Sequence, residues 1–288
     1  MVEVEGVPEL HGCQHCIMPG WDEALTYKRR AVELDPRSSF TAVALGHLHH
    51  FLGDYEEAER YYDRAIALDS LNVRFYNVKF SLLMRAVGDT ARARQLAEEH
   101  PDKSAPWLAQ LDYVRRDYEQ ALAFYLSRPR REPGRPNWLS VLNLYRLTDQ
   151  REPLEALADS LRLEHEKQLG EMIEAQAPPV LIAYAHMWLG YEHGYLGDEN
   201  AAAREAKSAL DAYPTSRDAY NYGNFLSGVA SVYVLAGRHD EAIDVLETSL
   251  SVPRTYSAAW LRLSPFYDPL RDNPRFQALL AKYDQPAE

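Results

Sequence analysis

The fold of this chain is decided by the stretch LGHLHHFLGDYEEAERYYDRA, which runs from Leu45 to Ala65. Twelve residues separate Gly46 from Ala58, and seven more lead to Ala65. Two antiparallel helices can approach closely only where small residues face each other, so Gly46 and Ala58 predict a tight contact inside a helical hairpin. Ala65 predicts a similar contact with the next hairpin. Gly53 is expected to end the first helix, because a left-handed helix cap favours glycine.

A second stretch repeats these intervals. Gly190, Ala202 and Ala209 are again separated by twelve and seven residues. The later part of the frame also occurs 34 residues upstream of the first copy, at Ala24 and Ala31. Regular spacing of this kind indicates an array of similar helical units in which each unit packs mainly on its neighbours.

This pattern resembles the tetratricopeptide repeat, whose period is about 34 residues. The resemblance implies an all-α fold, a right-handed α-solenoid of about seven helical hairpins with a C-terminal cap. We expect an irregular N-terminus or partial first helix over 1–20, the array over 21–254 and the capping segment over 255–288. The repeats are placed near 5–38, 39–72, 74–101, 102–132, 137–176, 183–216 and 223–254. The long interval after the fifth repeat predicts extended helices around 154–176.

The C-terminal sequence from Leu263 to Leu280, LSPFYDPLRDNPRFQALL, carries a second resemblance. It is similar to the terminal segment of tetratricopeptide arrays in multidomain bacterial regulators, where the array follows a kinase, cyclase or winged-helix domain. The resemblance implies the detached array of a signalling or transcription regulator. In physical terms the segment reads as a cap that covers the last apolar face of the array.

Composition restricts the function. The chain carries 31 Lys and Arg against 43 Asp and Glu, a formal net charge of -12, which disfavours nucleic acid and anionic membrane surfaces as partners. No stretch approaches the roughly 18 apolar residues of a membrane helix. The acidic N-terminus lacks the pattern of a secretory signal, and two cysteines do not make a disulfide scaffold. We therefore expect a cytoplasmic protein.

One cluster of possible metal ligands occurs near the N-terminus: His11, Cys13, His15 and Cys16. Two thiolates two residues apart suit zinc, but the second CxxC or HxxxH half of a zinc motif is missing. We predict no bound metal and no cofactor. A metal or redox protein that uses this cluster is the alternative.

Other chemical signatures are weak. The basic run Arg128, Arg130, Arg131 and Arg135 contains two prolines and a glycine, so we interpret it as a connector between repeats and not as a nucleic-acid site. The chain contains no Gly-rich phosphate loop, GxSxG elbow or HExxH motif. We predict that the protein is not an enzyme.

The resemblance implies that a protein or peptide partner lies along the concave groove, which the first helix of each repeat lines. Tyr184, Tyr191 and Tyr195 should form a stripe on one helix, and such a stripe suits an extended or helical peptide with apolar anchors. Two alternatives stay open: these rings pack between helices, or a pocket inside the superhelix senses a small molecule. The candidate groove residues are Phe40, Val43, His47, His50, Phe51, Trp138, Tyr145, Tyr184, Met187, Tyr191, Tyr195, Asn224, Ser227 and Ser231.

Overall fold

The structure, a computed structural model, describes residues 20–101, 104–127, 138–213 and 219–283. These residues form helices and their connections, and no strand occurs among them. The predicted all-α fold of stacked helical hairpins is confirmed. The expected first half of repeat one lies outside the described residues.

Consecutive helices pair as antiparallel hairpins after the single helix α1 (Trp21–Leu34). The pairs are α2 (Ser39–Leu52) with α3 (Tyr55–Leu68), α4 (Val73–Ser81) with α5 (Thr90–Glu99), α6 (Ala105–Val114) with α7 (Tyr118–Leu126), α8 (Trp138–Leu147) with α9 (Arg151–Glu174), α10 (Pro179–Tyr195) with α11 (Glu199–Ala212), and α12 (Ala219–Leu235) with α13 (His239–Leu250). A π-helical turn (Leu82–Val87) extends α4. The chain then continues through α14 (Ala258–Leu263), a 3-10 turn (Pro265–Leu270) and α15 (Pro274–Lys282).

The turn inside the best-formed hairpins is a Gly-Asp pair. Gly53 ends α2 with φ at 85°, and the Asp54 carboxylate accepts a hydrogen bond from the backbone N–H of Glu57 in the first turn of α3. The left-handed conformation costs glycine little, because glycine has no Cβ to clash with the following carbonyl. In the fourth and fifth repeats Arg116 and Asp149 take this position, with φ at 68° and 54°. Those turns therefore carry no glycine signal in the sequence.

Small residues set the spacing of the helices, as the sequence frame predicted. Ala58, Ala65, Ala202 and Ala209 are all completely buried. A Cβ atom added at Gly46 would lie 2.9 Å from ring carbons of Tyr62, so only glycine lets α2 approach α3 this closely. The repeat frame thus describes real helix crossings at both ends of the array.

The last helix covers the end of the array. Phe276 of α15 is fully buried, and Arg275 pairs with Asp240 at 2.8 Å and with Asp244 at 2.5 Å on α13. Helix α15 therefore covers the apolar face of α13 at this end, and the cap over 255–288 stays a prediction. The segment that precedes α15 does not lie at that end. It turns back along the array and contacts the earlier helices.

The alanine contacts can be tested by overpacking. Ala58→Leu and Ala202→Leu should each lower the free energy of unfolding by roughly 1–3 kcal/mol, because the added atoms force the paired helices apart. Chemical denaturation of both variants measures this change. Ala67→Leu on α3 is the control, since Ala67 is exposed and should leave stability nearly unchanged. Equal stability of all three variants would contradict the frame.

Candidate functional site

The structure covers most of the expected groove. Of the candidate residues only Phe40 is exposed, with 64% of its surface accessible. The half-buried ones are Val43, His47, Tyr145, Tyr184, Asn224 and Ser227. The buried ones are His50, Phe51, Trp138, Met187, Tyr191, Tyr195 and Ser231. The expectation of an open aromatic groove along the whole array therefore needs correction.

The chain's own C-terminal segment, residues 252–270, covers this side of the array. The backbone N–H of Arg254 donates to the Phe51 carbonyl at 3.2 Å, and His50 Nε2 donates to the Thr255 carbonyl at 3.1 Å. The Thr255 N–H and hydroxyl both donate to Asn224 Oδ1, at 3.1 and 2.8 Å. The segment thus links α2 near one end of the array to α12 near the other.

The π-helical turn provides the next contacts. The Ser257 N–H donates to the Arg85 carbonyl at 2.9 Å, and its hydroxyl donates to the Ala86 carbonyl at 2.6 Å. Carbonyls at the end of a helix lack partners within that helix, so they are free to accept these bonds. A Cβ added at Gly88 would lie 2.7 Å from the Cβ of Ala259, so α14 packs directly on this glycine.

Further along, the segment contacts the middle repeats. Tyr113 Oη lies 3.3 Å from Ser264 Oγ, and the Arg116 guanidinium binds both oxygens of Asp268, at 2.6 and 3.2 Å. Burial raises the pKa of Asp268, but the hydrogen bonds from Arg116 and Arg271 outweigh it, so the pKa is lowered. This ion pair joins the middle repeats to the C-terminal segment.

Tyr191 and Tyr195 are too deeply buried to contact a protein partner. They keep only 4% and 6% of their surface accessible, because the C-terminal segment lies over the side of α10 that they occupy. Tyr184 packs against Phe225 with ring centroids 5.3 Å apart. The tyrosine stripe therefore faces the inside of the protein, and the alternative in which these rings pack internally describes them better.

A cavity of about 220 Å³, open to solvent on one side, remains between the first helices and the C-terminal segment. Hydroxyls, amides and aromatic rings dominate its lining, and no Asp or Glu is among the described residues that line it. The lining residues are Arg85, Gln110, Tyr113, Tyr125, Leu139, Ser140, Asn143, Leu144, Tyr191, Tyr195, Ser227, Ser231, Trp260, Ser264, Phe266 and Tyr267. Four predicted groove residues thus line this partly open cavity: Tyr191, Tyr195, Ser227 and Ser231.

The sequence analysis did not identify Arg85, Tyr113 or Ser257 as site residues. Arg85 had a usable signal, since it is the only charged residue in the otherwise apolar run from Leu82 to Val87. Tyr113 and Ser257 had none, because their roles depend on a segment that returns from the far end of the chain.

His50 is neutral in the folded protein. Burial lowers its pKa to about 4, and the nearby charges of His47 and Arg85 act in the same direction. Its Nε2 donates to the Thr255 carbonyl, so its Nδ1, 3.2 Å from Tyr62 Oη, accepts the tyrosine proton. The neutral ring therefore donates one hydrogen bond, to the Thr255 carbonyl, and accepts one, from the Tyr62 hydroxyl.

One part of the concave side stays accessible. We call it the N-terminal concave surface and define it by Phe40, Val43 and His47 on α2 and Arg74 on α4. The three α2 residues lie on one helix face, and the charge of Arg74 lowers the pKa of His47 further after burial has lowered it. Phe40 also contacts the buried Phe75 edge to face, with centroids 5.8 Å apart.

Several predictions concern residues whose placement is not described. The His11, Cys13, His15 and Cys16 cluster and the basic run from Arg128 to Arg135 lie outside the described residues. Among the residues that are described, no group of three or more His, Cys, Asp or Glu side chains could hold a metal ion. None of the described helices is both long enough and apolar enough to cross a membrane.

Comparison with known proteins identifies the repeat type. Residues 41–74 match the family model described as tetratricopeptide repeat, which covers α2 and α3. The chain thus contains at least one tetratricopeptide repeat, as the sequence frame predicted. No curated protein matches the chain significantly.

Two solved structures are similar at low identity. One is the C-terminal part of a TPR repeat-containing protein from Cytophaga hutchinsonii, with 11% identity, a TM-score of 0.38, and coverage of 91% of this chain and 95% of that one. The other is Naa15/Naa10 bound to HypK-THB, with 16% identity, a TM-score of 0.33, and coverage of 91% of this chain and 44% of that one. At these TM-scores neither likeness supports a statement about function.

The docking of the C-terminal segment can be tested at Gly88. Gly88→Ala should destabilise the protein and speed hydrogen exchange at the Arg254 and Ser257 amides, because the new methyl group clashes with Ala259. Gly53→Ala is the matched control: Gly53 has a similar φ of 85° but no atom within 4 Å of its added Cβ. Both variants carry the left-handed strain of about 1–2 kcal/mol, and only Gly88→Ala adds roughly 1–3 kcal/mol of overpacking. Equal exchange in the two variants would show that the segment is not docked at Gly88.

The neutral state of His50 predicts a pH dependence. The pKa of His50 is about 4 in the folded protein and near 6.5 in the unfolded chain, so acidification protonates only the unfolded chain in this window. The stabilisation is present above pH 6.5 and is lost as the pH falls toward 4. Between pH 7 and pH 5 the free energy of unfolding should fall by about 2 kcal/mol more in the wild type than in His50→Gln. Denaturant titrations of both proteins at the two pH values measure this, and parallel pH profiles would refute it.

Proposed function

We propose that this chain is a non-catalytic interaction protein that binds a protein or peptide partner at its N-terminal concave surface. One observation carries the proposal: the concave side already binds an irregular polypeptide segment, the chain's own residues 252–257. That segment is held by hydrogen bonds to the Phe51, Arg85 and Ala86 carbonyls and to the His50 ring. The tetratricopeptide repeat at residues 41–74 supports the same conclusion, since such repeats generally bind proteins.

The accessible part of this side has the features of a binding surface. Phe40 presents a large ring to solvent beside the half-buried Val43 and His47. Interface energy usually concentrates in a few aromatic anchors of this kind. Exposed Arg74 has no ion pair with any described residue, although the chain is strongly acidic. We infer a partner segment that combines an apolar side chain for Phe40 with an acidic group for Arg74.

The wider setting follows from the C-terminal sequence. The similarity of Leu263–Leu280 to the end of arrays in bacterial regulators supports a role as the interaction module of a signalling or transcription regulator. A cytoplasmic setting agrees with the acidic composition and the small number of cysteines. The conclusion that the chain is not an enzyme rests on the absence of catalytic motifs from its sequence.

The partner surface can be tested with peptides selected from a random library on the purified chain. Phe40→Ala should weaken the selected peptide at least about tenfold, which is about 1.4 kcal/mol, because the anchor ring is lost. Its melting temperature should change little, since Phe40 is mostly exposed. Leu163→Ala is the control: Leu163 has 56% of its surface accessible and lies on the distant helix α9. A library that yields no binder, or a peptide that binds wild type and Phe40→Ala equally, would refute the proposal.

A further inference from the structure

The interior of the array contains a cation that has no counter-charge. Arg85 makes no ion pair and no side-chain hydrogen bond with the described residues, and its guanidinium lies over the Trp260 ring, 5.4 Å from the centroid. The guanidinium offers five N–H donors, and those that face the cavity have no acceptor among the described residues. In a chain with 43 acidic residues, the absence of a carboxylate beside Arg85 requires an explanation.

The surroundings of Arg85 show where its free donors point. Its side chain is exposed, yet burial lowers its pKa. These two facts agree because Arg85 lines a cavity that is open to solvent on one side: the cavity walls surround the guanidinium, and solvent still reaches it. No carboxylate contributes to the pKa of Arg85, so the cavity has a net positive lining among the described residues.

A second polar group in the cavity is also unsatisfied. The Tyr195 hydroxyl is buried and has no hydrogen-bond partner within the described part of the chain, although most buried hydroxyls have one. Tyr195 lines the same cavity as Arg85, on the opposite part of the chain. Nearby polar groups are already engaged: Arg146 donates to Asn143 Oδ1 at 2.9 Å, and Asn143 donates to Tyr113 Oη at 3.0 Å.

We propose that the cavity is a binding site for a small organic anion, a carboxylate or phosphate compound, with Arg85 as its counter-charge and the Tyr195 hydroxyl as a second hydrogen-bonding group. The cavity volume of about 220 Å³ suits a small metabolite. The aromatic walls, including Trp260, suit the apolar part of such a molecule. This site is separate from the N-terminal concave surface.

The ligand site also includes part of the C-terminal segment. Trp260, Ser264 and Tyr267 form one wall of the cavity, so a ligand there contacts both the array and the segment that closes it. A ligand that binds only this closed arrangement stabilises it by mass action. Ligand binding should therefore raise the melting temperature of the protein.

The test uses the full chain and matched probes. Glycerol 3-phosphate and 4-hydroxybenzoate are paired with their neutral analogues glycerol and phenol, while inorganic phosphate and acetate serve as bare anions. At least one of the two organic anions should raise the melting temperature and bind by calorimetry, and its neutral analogue should not. Binding of the bare anions alone, or of no anion, overturns the proposal of an organic ligand.

Two variants separate a ligand contact from a structural role. Arg85→Met should reduce affinity for the bound anion at least tenfold, while the ligand-free protein melts at the same or a higher temperature because an unpaired cation has been removed. Tyr195→Phe should weaken binding several-fold without lowering the melting temperature. Arg146→Met is the control, because Arg146 is hydrogen-bonded to Asn143 and its loss should destabilise the fold. Unchanged affinity in both Arg85→Met and Tyr195→Phe, or a lower melting temperature in ligand-free Arg85→Met, overturns the proposal.

Discussion

The close approach of paired helices at small residues is the constraint on which the rest of this structure depends. Gly46 leaves no side chain between α2 and the Tyr62 ring, and the buried alanines of the second helices let neighbouring hairpins stack. Each pair is therefore held at a short distance, and the first helices line up along one side of the array. The cavity, and the surface on which the C-terminal segment packs, exist only because those helices are aligned in this way.

Charge is distributed unevenly between the outside and the inside of the protein. Many carboxylates lie on the exposed faces of the helices, where pairs such as Arg151 with Glu155 and Lys207 with Asp211 contribute little to stability. The inner side carries Arg85 and Arg146 without a carboxylate partner among the described residues. An acidic surface around a positively lined cavity favours the entry of compact anions only when a specific contact inside the cavity offsets the repulsion outside.

The repeat frame could be predicted from sequence because its cause is local. Glycine and alanine at fixed intervals mark helix crossings, and the Gly-Asp pairs mark turns, so α2, α3, α10 and α11 were recognisable. The weak repeats lacked this signal, since Arg116 and Asp149 take the left-handed turn position without glycine. The path of the C-terminal segment was not predictable, because its contacts with the array join residues such as His50 and Thr255, 205 positions apart. Periodicity describes neighbouring repeats and contains no information about such a distant contact.

The return of the C-terminal segment changes how the whole chain should fold. An open repeat array has mostly local contacts, so its parts can fold and unfold semi-independently. Here hydrogen bonds span separations of 151, 171 and 205 residues, which raises the contact order and adds the entropy cost of closing very large loops. The final contacts can form only after both ends of the array are in place. These contacts should consequently form late in folding, and the protein should unfold as a single cooperative unit. The stability of the first hairpin is then coupled to that of the last.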